Sequence, residues 1–458
     1  MINANIFKAY DIRGIYGQDF DERLAYKLGL AYVLLRRGDE DLKNDQTKKL
    51  QIVVASDMRL SSPVLKTELI KGLIDAGVRV IDIGIVSTPT FYFAVANFNY
   101  DGGIMISASH NPAEWNGFKL VRSRAIPISG DSGIKFLEKK IIAGDLPLAE
   151  IKGDVLESND TLVEQLKHDL RFIDLKKIKP FRVAVDPANG LGSQYLEALA
   201  SVLPIELLKI NFVLDGTFPA HPADPSDPKN LVDLCKLVKS EQADLGIATD
   251  GDGDRVFFID NNGQVINPAI TRGILGKIFL QDSPGAKIGY DVRPGRITEE
   301  LIKNSGGFPI LTHVGHSLIK EQMLKDNIYF AAESSGHFFL NMPLGCFEAP
   351  IIVIAKLLQE LSESNLSLAD YIAPYNKYFA SGEINIEVKD KDEVLSRVAK
   401  NYFEGKISKF DGLSITYPEF WFNLRASNTE NKIRLNLEAT SEELMEEKRD
   451  EVLLLINA

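Results

Sequence analysis

The sequence predicts an α/β protein: three similar α/β units in series, followed by a smaller α+β domain. Three observations carry that expectation. Apolar runs of strand length alternate with amphipathic helical stretches as far as about residue 370. Each of the three units closes on an apolar strand that runs straight into a polar loop: 104–106 into 107–112, Leu245–Thr249 into 250–255, and 329–332 into 333–337. From about Glu383 the order changes to strands with helices between and after them. A chain of 458 residues has room for roughly three or four domains of ~100 to 200 residues each. They are expected over 1–146, 147–255, 256–370 and 371–458.

In chain order, Phe7-Lys8-Ala9-Tyr10-Asp11-Ile12-Arg13-Gly14 reads as an amino-terminal strand and turn. The run 51–55 is a strand, with 56–59 as the loop after it. Ser62 as N-cap and Pro63 at the first helical position then start a helix. It turns Val64, Leu65, Leu69, Ile70 and Leu73 inward and stops at Gly77. The strand 78–84 completes a β-α-β unit. With the strand leading to Ser109, the first ~145 residues read as a doubly wound domain.

The pattern recurs. A strand at 181–186 meets the turn Pro187-Ala188-Asn189-Gly190-Leu191-Gly192, which opens a helix and leads to a strand at 205–210. A helix at about 231–239 precedes the strand that ends at Asp250. The third unit has a strand at 287–292 before Arg293, a helix from Thr298, the strand Phe308–Thr312, and the run into Glu333. Three units that each deliver a polar loop read as a structural repeat. The carboxyl-terminal domain is expected to hold strands at 384–388 and 433–437, and helices at about 392–402 and 441–456.

The loops hold the chemistry. Ser109 would sit at the carboxyl end of a buried strand, where open α/β sheets bind ligands. Flanked by His110, and with Lys119 ten residues on, its hydroxyl is a candidate nucleophile. The alternative is a turn whose Ser and Asn bond only their own backbone. Asp250-Gly251-Asp252-Gly253-Asp254-Arg255 spaces three carboxylates two residues apart, with glycine between them. They share a face when extended, and the glycines let the backbone curl until all three meet one hard cation. Crowded together without a cation they would repel each other, so the spacing implies a metal. A helix-loop-helix calcium loop needs Gly at its sixth position and Glu at its twelfth, where this chain has Arg255 and Asn261. Ligands that are all oxygen favour Mg²⁺ over zinc.

Glu333-Ser334-Ser335-Gly336-His337 presents a carboxylate, a hydroxyl and an imidazole. Glu333 and Ser335 are spaced to face one way and could grip adjacent sugar hydroxyls; a Ser-rich turn is the alternative. Thr312-His313-Val314-Gly315-His316-Ser317 supplies two more imidazoles, one of which can cap the helix that follows. Four of the six His lie in these polar loops, which favours proton transfer or phosphate contact over core filling. Arg425-Ala426-Ser427-Asn428-Thr429, with Lys432, gathers a guanidinium, hydroxyls and an amide that suit a phosphate. An exposed Ser/Thr turn fits that stretch equally.

Composition narrows the class. Hydrophobic residues at 45% and charged residues at 25% suggest neither disorder nor a membrane protein. A net charge of -12 argues against a nucleic-acid partner, so any anionic ligand needs a local basic cluster. The first eight residues hold no apolar core of signal-peptide length, and no run reaches the ~18 apolar residues of a spanning helix. Cys235 and Cys346 are too few and too separated for a disulfide framework. The expectation is a soluble cytoplasmic protein with no membrane partner. No interface motif chooses between monomer and dimer.

Taken together, Ser107-Ala108-Ser109-His110-Asn111-Pro112, the loops 250–255 and 333–337, and Arg425 to Thr429 resemble, in order and spacing, the four active-site loops of the α-D-phosphohexomutase family. The likeness is greatest to its bacterial phosphomannomutase/phosphoglucomutase branch. It runs from Phe7 to the carboxyl terminus and includes Lys8 to Gly14, Asn116 to Lys119 and Gly315-His316-Ser317. It implies four domains around a central cleft, the first three with similar topology and mixed sheets, and hexose phosphates as small-molecule substrates. By the same resemblance Ser109 carries a phosphoryl group, and Asp250, Asp252 and Asp254 bind Mg²⁺ together with it. Arg255 helps to hold the phosphoryl group, and Glu333 and Ser335 bind sugar hydroxyls. Arg425, Ser427, Asn428 and Thr429 bind the distal phosphate. Tyr10, Arg13, Lys119, Arg293, His316 and His337 fall on positions of substrate contacts and acid/base candidates. A hexose 1,6-bisphosphate is implied as intermediate and activator. Two departures stand out: Arg293 where Lys is common, and Asn431 where Pro often ends the phosphate loop.

Overall fold

The structure, a computed structural model, describes residues 3–43, 47–426 and 431–457. It divides into two compact units: Met1–Ile266 with Lys320–Ala331 and Ser335–Tyr371, and Asn267–Ile319 with Ala332–Ser334 and Ile372–Ala458.

The first unit opens with a six-stranded mixed sheet of β1 (Ile12–Ile15), β2 (Gln51–Ser56), β3 (Arg79–Ile85), β4 (Gly102–Ile106), β5 (Trp115–Arg122) and β6 (Asp154–Glu157). Its order is β1-β5-β4-β2-β3-β6. The strands β2, β3, β4 and β6 run parallel, as a doubly wound domain requires. β5 then turns back antiparallel along β4, and β1 pairs antiparallel with β5, which makes the sheet mixed. β4 is apolar throughout because it is buried along its whole length. The helix Glu22–Gly38 packs on the helix Ser62–Asp75. The latter starts one residue earlier than its Ser-Pro signal suggests. Ser61 is the N-cap residue, and the Ser62 hydroxyl instead donates to Asp57 Oδ1 at 2.6 Å.

A four-stranded sheet follows, β10-β9-β7-β8, of β7 (Phe181–Asp186), β8 (Ile205–Lys209), β9 (Leu245–Thr249) and β10 (Val256–Ile259). β7 lies parallel to both β8 and β9, while β9 and β10 form an antiparallel hairpin closed by the pair Thr249 and Val256. The loop 250–255 is therefore the turn of a hairpin. Ala184, Leu231, Leu234, Val238 and Ile259 fill the core beneath it.

The third α/β segment contributes to both units. β11 (Lys287–Asp291) and β12 (Phe308–Thr312) pair in parallel in the second unit, joined through the helix Arg296–Asn304. After β13 (Phe330–Ala332), the strands β14 (Phe338–Met342) and β15 (Gly345–Glu348) form an antiparallel hairpin in the first unit, followed by the helix Pro350–Ser364. The carboxyl-terminal sheet is wholly antiparallel, in the order β16-β20-β19-β18-β17. Its strands are β16 (Phe379–Glu387), β17 (Lys406–Ser408), β18 (Leu413–Thr416), β19 (Phe420–Ala426) and β20 (Lys432–Ala439). The helices Lys391–Asn401 and Glu442–Asn457 accompany it, and Val398, Phe422, Leu435 and Val452 lie in its core. This is the α+β arrangement expected. No helix among the described residues is long and apolar enough to cross a membrane.

Candidate active site

Ser109 follows β4 by three residues and is buried, with φ of +52°, in the left-handed region that non-glycine residues seldom occupy. Its N–H donates to Ser107 Oγ at 2.9 Å, so the loop begins with a Ser-held turn. That bond does not exhaust the serine. Its own Oγ donates to Asp250 Oδ2 at 2.8 Å and lies 3.2 Å from His110 Nδ1. Burial first, then the charges of Arg255 and Arg13, push the His110 imidazole well below its ordinary pKa, so that it is neutral. Arg13 reaches the same loop, donating to Asn111 Oδ1 at 2.6 Å while pairing with Asp11. Tyr10 stands half-buried in the bend before β1.

Opposite the serine, the hairpin turn 250–255 curls as its glycines suggest. Asp250 Oδ1 accepts from the N–H groups of Asp254 and Arg255 at 3.1 and 3.2 Å. Gly253 takes φ of +72°. A Cβ on Gly251 would stand 2.7 Å from the Ser109 carbonyl oxygen, so only glycine lets the two loops touch backbone to backbone. Asp250, Asp252 and Asp254 are all buried, and each offers an oxygen within 4.8 Å of the others.

Their charge is partly met by the protein. Lys119, brought in by β5, places Nζ 2.6 Å from both Asp252 Oδ2 and Asp254 Oδ2. Burial opposes the ammonium, but the two carboxylates outweigh it and hold its pKa well above the ordinary value. Burial and the neighbouring Asp254 and Asp252 push the Asp250 carboxyl well up. Arg255 Nε is 3.8 Å from Asp250 Oδ2, and its Nη1 is 3.4 Å from Asp224. The loop 333–337 reaches the same cluster through His337, whose Nε2 lies 3.1 Å from Asp254 Oδ1 and whose Nδ1 is 2.8 Å from Ser335 Oγ. The Val256 N–H donates to the Gly336 carbonyl at 2.9 Å and locks that loop against the hairpin.

The donor set fits a hard divalent cation. It is made of carboxylate oxygens, and Asp252 Oδ1 is buried with no hydrogen-bond donor, while Asp252 Oδ2 is already taken by Lys119 and by Thr88 Oγ1 at 2.6 Å. Thr88 is a member of the site that sequence reasoning missed. Its N–H also donates to the Asp252 carbonyl, at 3.0 Å. Its only signal in the sequence is the Ser87-Thr88-Pro89 helix start.

The second unit holds the other predicted residues. Arg293, just past β11, pairs with Asp291 and lies 3.2 Å from Glu333. Glu333 is buried, and its Oε1 also accepts from the Gly315 N–H at 2.9 Å. His316 opens the helix His316–Asp326, with its Nδ1 3.4 Å from Ser317 Oγ. His313 instead stacks on Phe410, ring centres 4.2 Å apart. Arg425, the last residue but one of β19, stands directly across from Arg434, and the two guanidiniums share Glu383 at 3.5 and 3.8 Å. Ser427, Asn428 and Thr429 lie outside the described residues.

Comparison with known proteins gives the same order of domains. Sequence models of phosphoglucomutase/phosphomannomutase match in series: alpha/beta/alpha domain I at 4–145, domain II at 160–263, domain III at 269–378 and the C-terminal domain at 383–455. A phosphomannomutase of Vibrio cholerae is 37% identical over 467 aligned residues, covering 100% of this chain and 99% of that protein. One from Methanocaldococcus jannaschii is 38% identical over 453, covering 98% and 97%. The crystal structure of a phosphoglucomutase/phosphomannomutase family protein from Burkholderia thailandensis superposes with a TM-score of 0.89 at 31% identity, covering 100% of this chain and 98% of that one. Four domain models in order and full-length relatives above a third identical leave one conclusion: the chain belongs to the α-D-phosphohexomutase family of intramolecular phosphotransferases.

Proposed function

We propose that the protein interconverts hexose 1-phosphate and hexose 6-phosphate, of mannose, glucose or both, through a phosphorylated Ser109 and a bound hexose 1,6-bisphosphate. The observation that carries this reading is the Ser109 hydroxyl on Asp250 Oδ2 at 2.8 Å, at the rim of a buried carboxylate cluster. A nucleophile so placed needs no further movement to face the cluster.

In the forward half, the Oγ–P bond of phosphoserine 109 breaks as a P–O bond forms to the free hydroxyl of the sugar phosphate, whose proton passes to a base. His316 and His337 are the candidates for that base; Lys119, the third that the resemblance offers, is held as an ammonium by Asp252 and Asp254. In the return half, the bisphosphate has turned end for end, and Ser109 Oγ takes back the other phosphoryl group. Its hydroxyl proton then has two acceptors within reach, Asp250 Oδ2 and His110 Nδ1. Asp250, Asp252 and Asp254 would hold Mg²⁺, which offsets charge on the transferring phosphoryl group. Arg255 and Arg13, both directed at the serine loop or its acceptor, suit contacts to phosphoryl oxygens. Arg293, Glu333 and Ser335 suit the sugar, and Arg425 with Ser427, Asn428 and Thr429 the distal phosphate. We place the protein in the cytoplasm, in keeping with free thiols at Cys235 and Cys346.

The test is to incubate the protein with labelled hexose 1,6-bisphosphate and Mg²⁺, then locate the label. It should be found on Ser109, and Ser109→Ala should lose essentially all mutase turnover. Label confined to the 250–254 aspartates, with release of inorganic phosphate, would overturn the reading in favour of a Mg²⁺-dependent phosphatase. Parallel assays with mannose, glucose and glucosamine 1-phosphates fix the sugar.

A further inference from the structure

Beneath the serine loop lies a side chain with no place in the chemistry above. Arg59 follows β2, is 1% exposed, and has an acceptor for every one of its guanidinium N–H groups. Nε–H meets Asp57 Oδ2 at 3.1 Å. Nη1 donates to the carbonyls of Pro112 at 2.5 Å and Trp115 at 3.1 Å. Nη2 donates to the carbonyls of Ser109 at 2.8 Å and Asn111 at 2.6 Å. The Phe218 ring covers the group, its centre 4.9 Å from the guanidinium carbon. Asp57 is itself fixed by Ser62 Oγ and by the Arg59 N–H.

The loop from Ser109 to Trp115 makes few bonds of its own; Asn111 N–H to the Ala108 carbonyl and Trp115 N–H to the Pro112 carbonyl are two of them. Four of its carbonyls, those of Ser109, Asn111, Pro112 and Trp115, converge on one side chain, while that of Glu114 accepts from the Tyr16 N–H. Ser109 also holds a left-handed conformation, which a residue with a Cβ keeps only where its surroundings impose it. A planar fork of five donors can gather four carbonyls at fixed angles, whereas an ammonium carries three donors on a single point.

We propose that Arg59 is a positioning residue for phosphoryl transfer: by collecting the carbonyls of Ser109, Asn111, Pro112 and Trp115 it fixes the loop backbone that aims Ser109 Oγ at Asp250. The role rests on Ser109 as the phosphoryl carrier. A misplacement of about 1 Å at a reacting atom can cost roughly 100-fold in rate, so the anchor bears on turnover although it touches neither substrate nor metal.

The experiment compares native protein, Arg59→Lys and Arg59→Ala, with the rate of Ser109 labelling from labelled hexose 1,6-bisphosphate read beside KM, kcat and thermal melting. Native protein should label on Ser109. Both variants, assayed well below their melting temperatures, should label and turn over roughly 100-fold more slowly while KM for the hexose phosphate stays near native. Millimolar guanidinium should restore part of the labelling rate of Arg59→Ala, and sodium chloride of equal ionic strength should not. Native labelling by folded Arg59→Lys, or no guanidinium rescue in folded Arg59→Ala, overturns the role. If neither variant folds, Asp57→Asn decides, because it removes the carboxylate that orients the guanidinium: slowed labelling supports the role and native labelling overturns it. Native protein that takes no label on Ser109 overturns the carrier reading itself, and with it this one.

Discussion

Asp252 divides its two carboxylate oxygens between two tasks. Oδ2 accepts from Lys119 and Thr88, which orients the group, and Oδ1 is left buried with no donor. Asp252→Asn keeps the size of the side chain but removes one of the three anionic ligands proposed for Mg²⁺. Apparent Mg²⁺ affinity should fall on the order of ten-fold or more, and turnover with it. Titration calorimetry and the Mg²⁺ dependence of rate measure the two effects; an unchanged Mg²⁺ response would mean that the cluster is only a buried turn. At this scale Ser109 and the three aspartates were legible, because each lies where an apolar strand stops. Thr88 and Arg59 were not. Thr88 acts on a residue 164 positions away and Arg59 on one 50 positions away, and no local pattern encodes such contacts.

Among the elements, β7 ends on Asp186, which accepts from the Ala188 N–H at 2.9 Å and from Asn211 Nδ2 at 3.1 Å, and lies 3.0 Å from His221 Nε2. The bond to Asp186 raises the His221 pKa, against the opposing effect of burial. A histidine whose folded pKa exceeds its unfolded value stabilises the fold fully below about pH 6.5, and loses that contribution as pH rises through the folded pKa. His221→Gln should therefore destabilise the protein more at about pH 6 than at about pH 8.5, a difference that denaturant melts at the two values would reveal. Equal losses at both would place the effect in packing. The helices Thr88–Asn97 and Pro350–Ser364 were passed over despite their apolar runs, whereas the strands β2, β7 and β9 were read correctly from theirs. β5 was not, because Asn116 and Lys119 break its alternation, and both are turned to polar partners: Asn116 to Ser61 and Ser62, Lys119 to the aspartates. The helix Glu22–Gly38 was passed over although its Leu24, Leu28 and Ala31 are buried at helical spacing.

For the molecule as a whole, the mechanism proposed above has the sugar bind with either end toward Ser109, and on that reading one distal site accepts both phosphates. Arg425 and Arg434 stand side by side with Glu383 between them, leaving positive charge that suits an anion. Arg425→Ala should raise KM for both 1-phosphate and 6-phosphate substrates, at a cost of about 1.5 to 3 kcal/mol, and let more bisphosphate escape. Steady-state kinetics and trapping of released bisphosphate check both; if neither changes, Arg13 and Arg293 are the next residues to test. The order of domains and their α/β and α+β character were legible from the alternation of elements. The interleaving of the third segment between two units was not, because it depends on contacts far apart in the chain.

That interleaving governs how the chain must be made. The second unit needs 267–319 and 372–458, and the first is not complete until Tyr371. During synthesis, then, the strands β11 and β12 leave the ribosome before residues 372–458 of their unit exist. No single cut frees either unit intact. The contacts that complete the second unit are accordingly non-local, and contacts of that kind are slow to form.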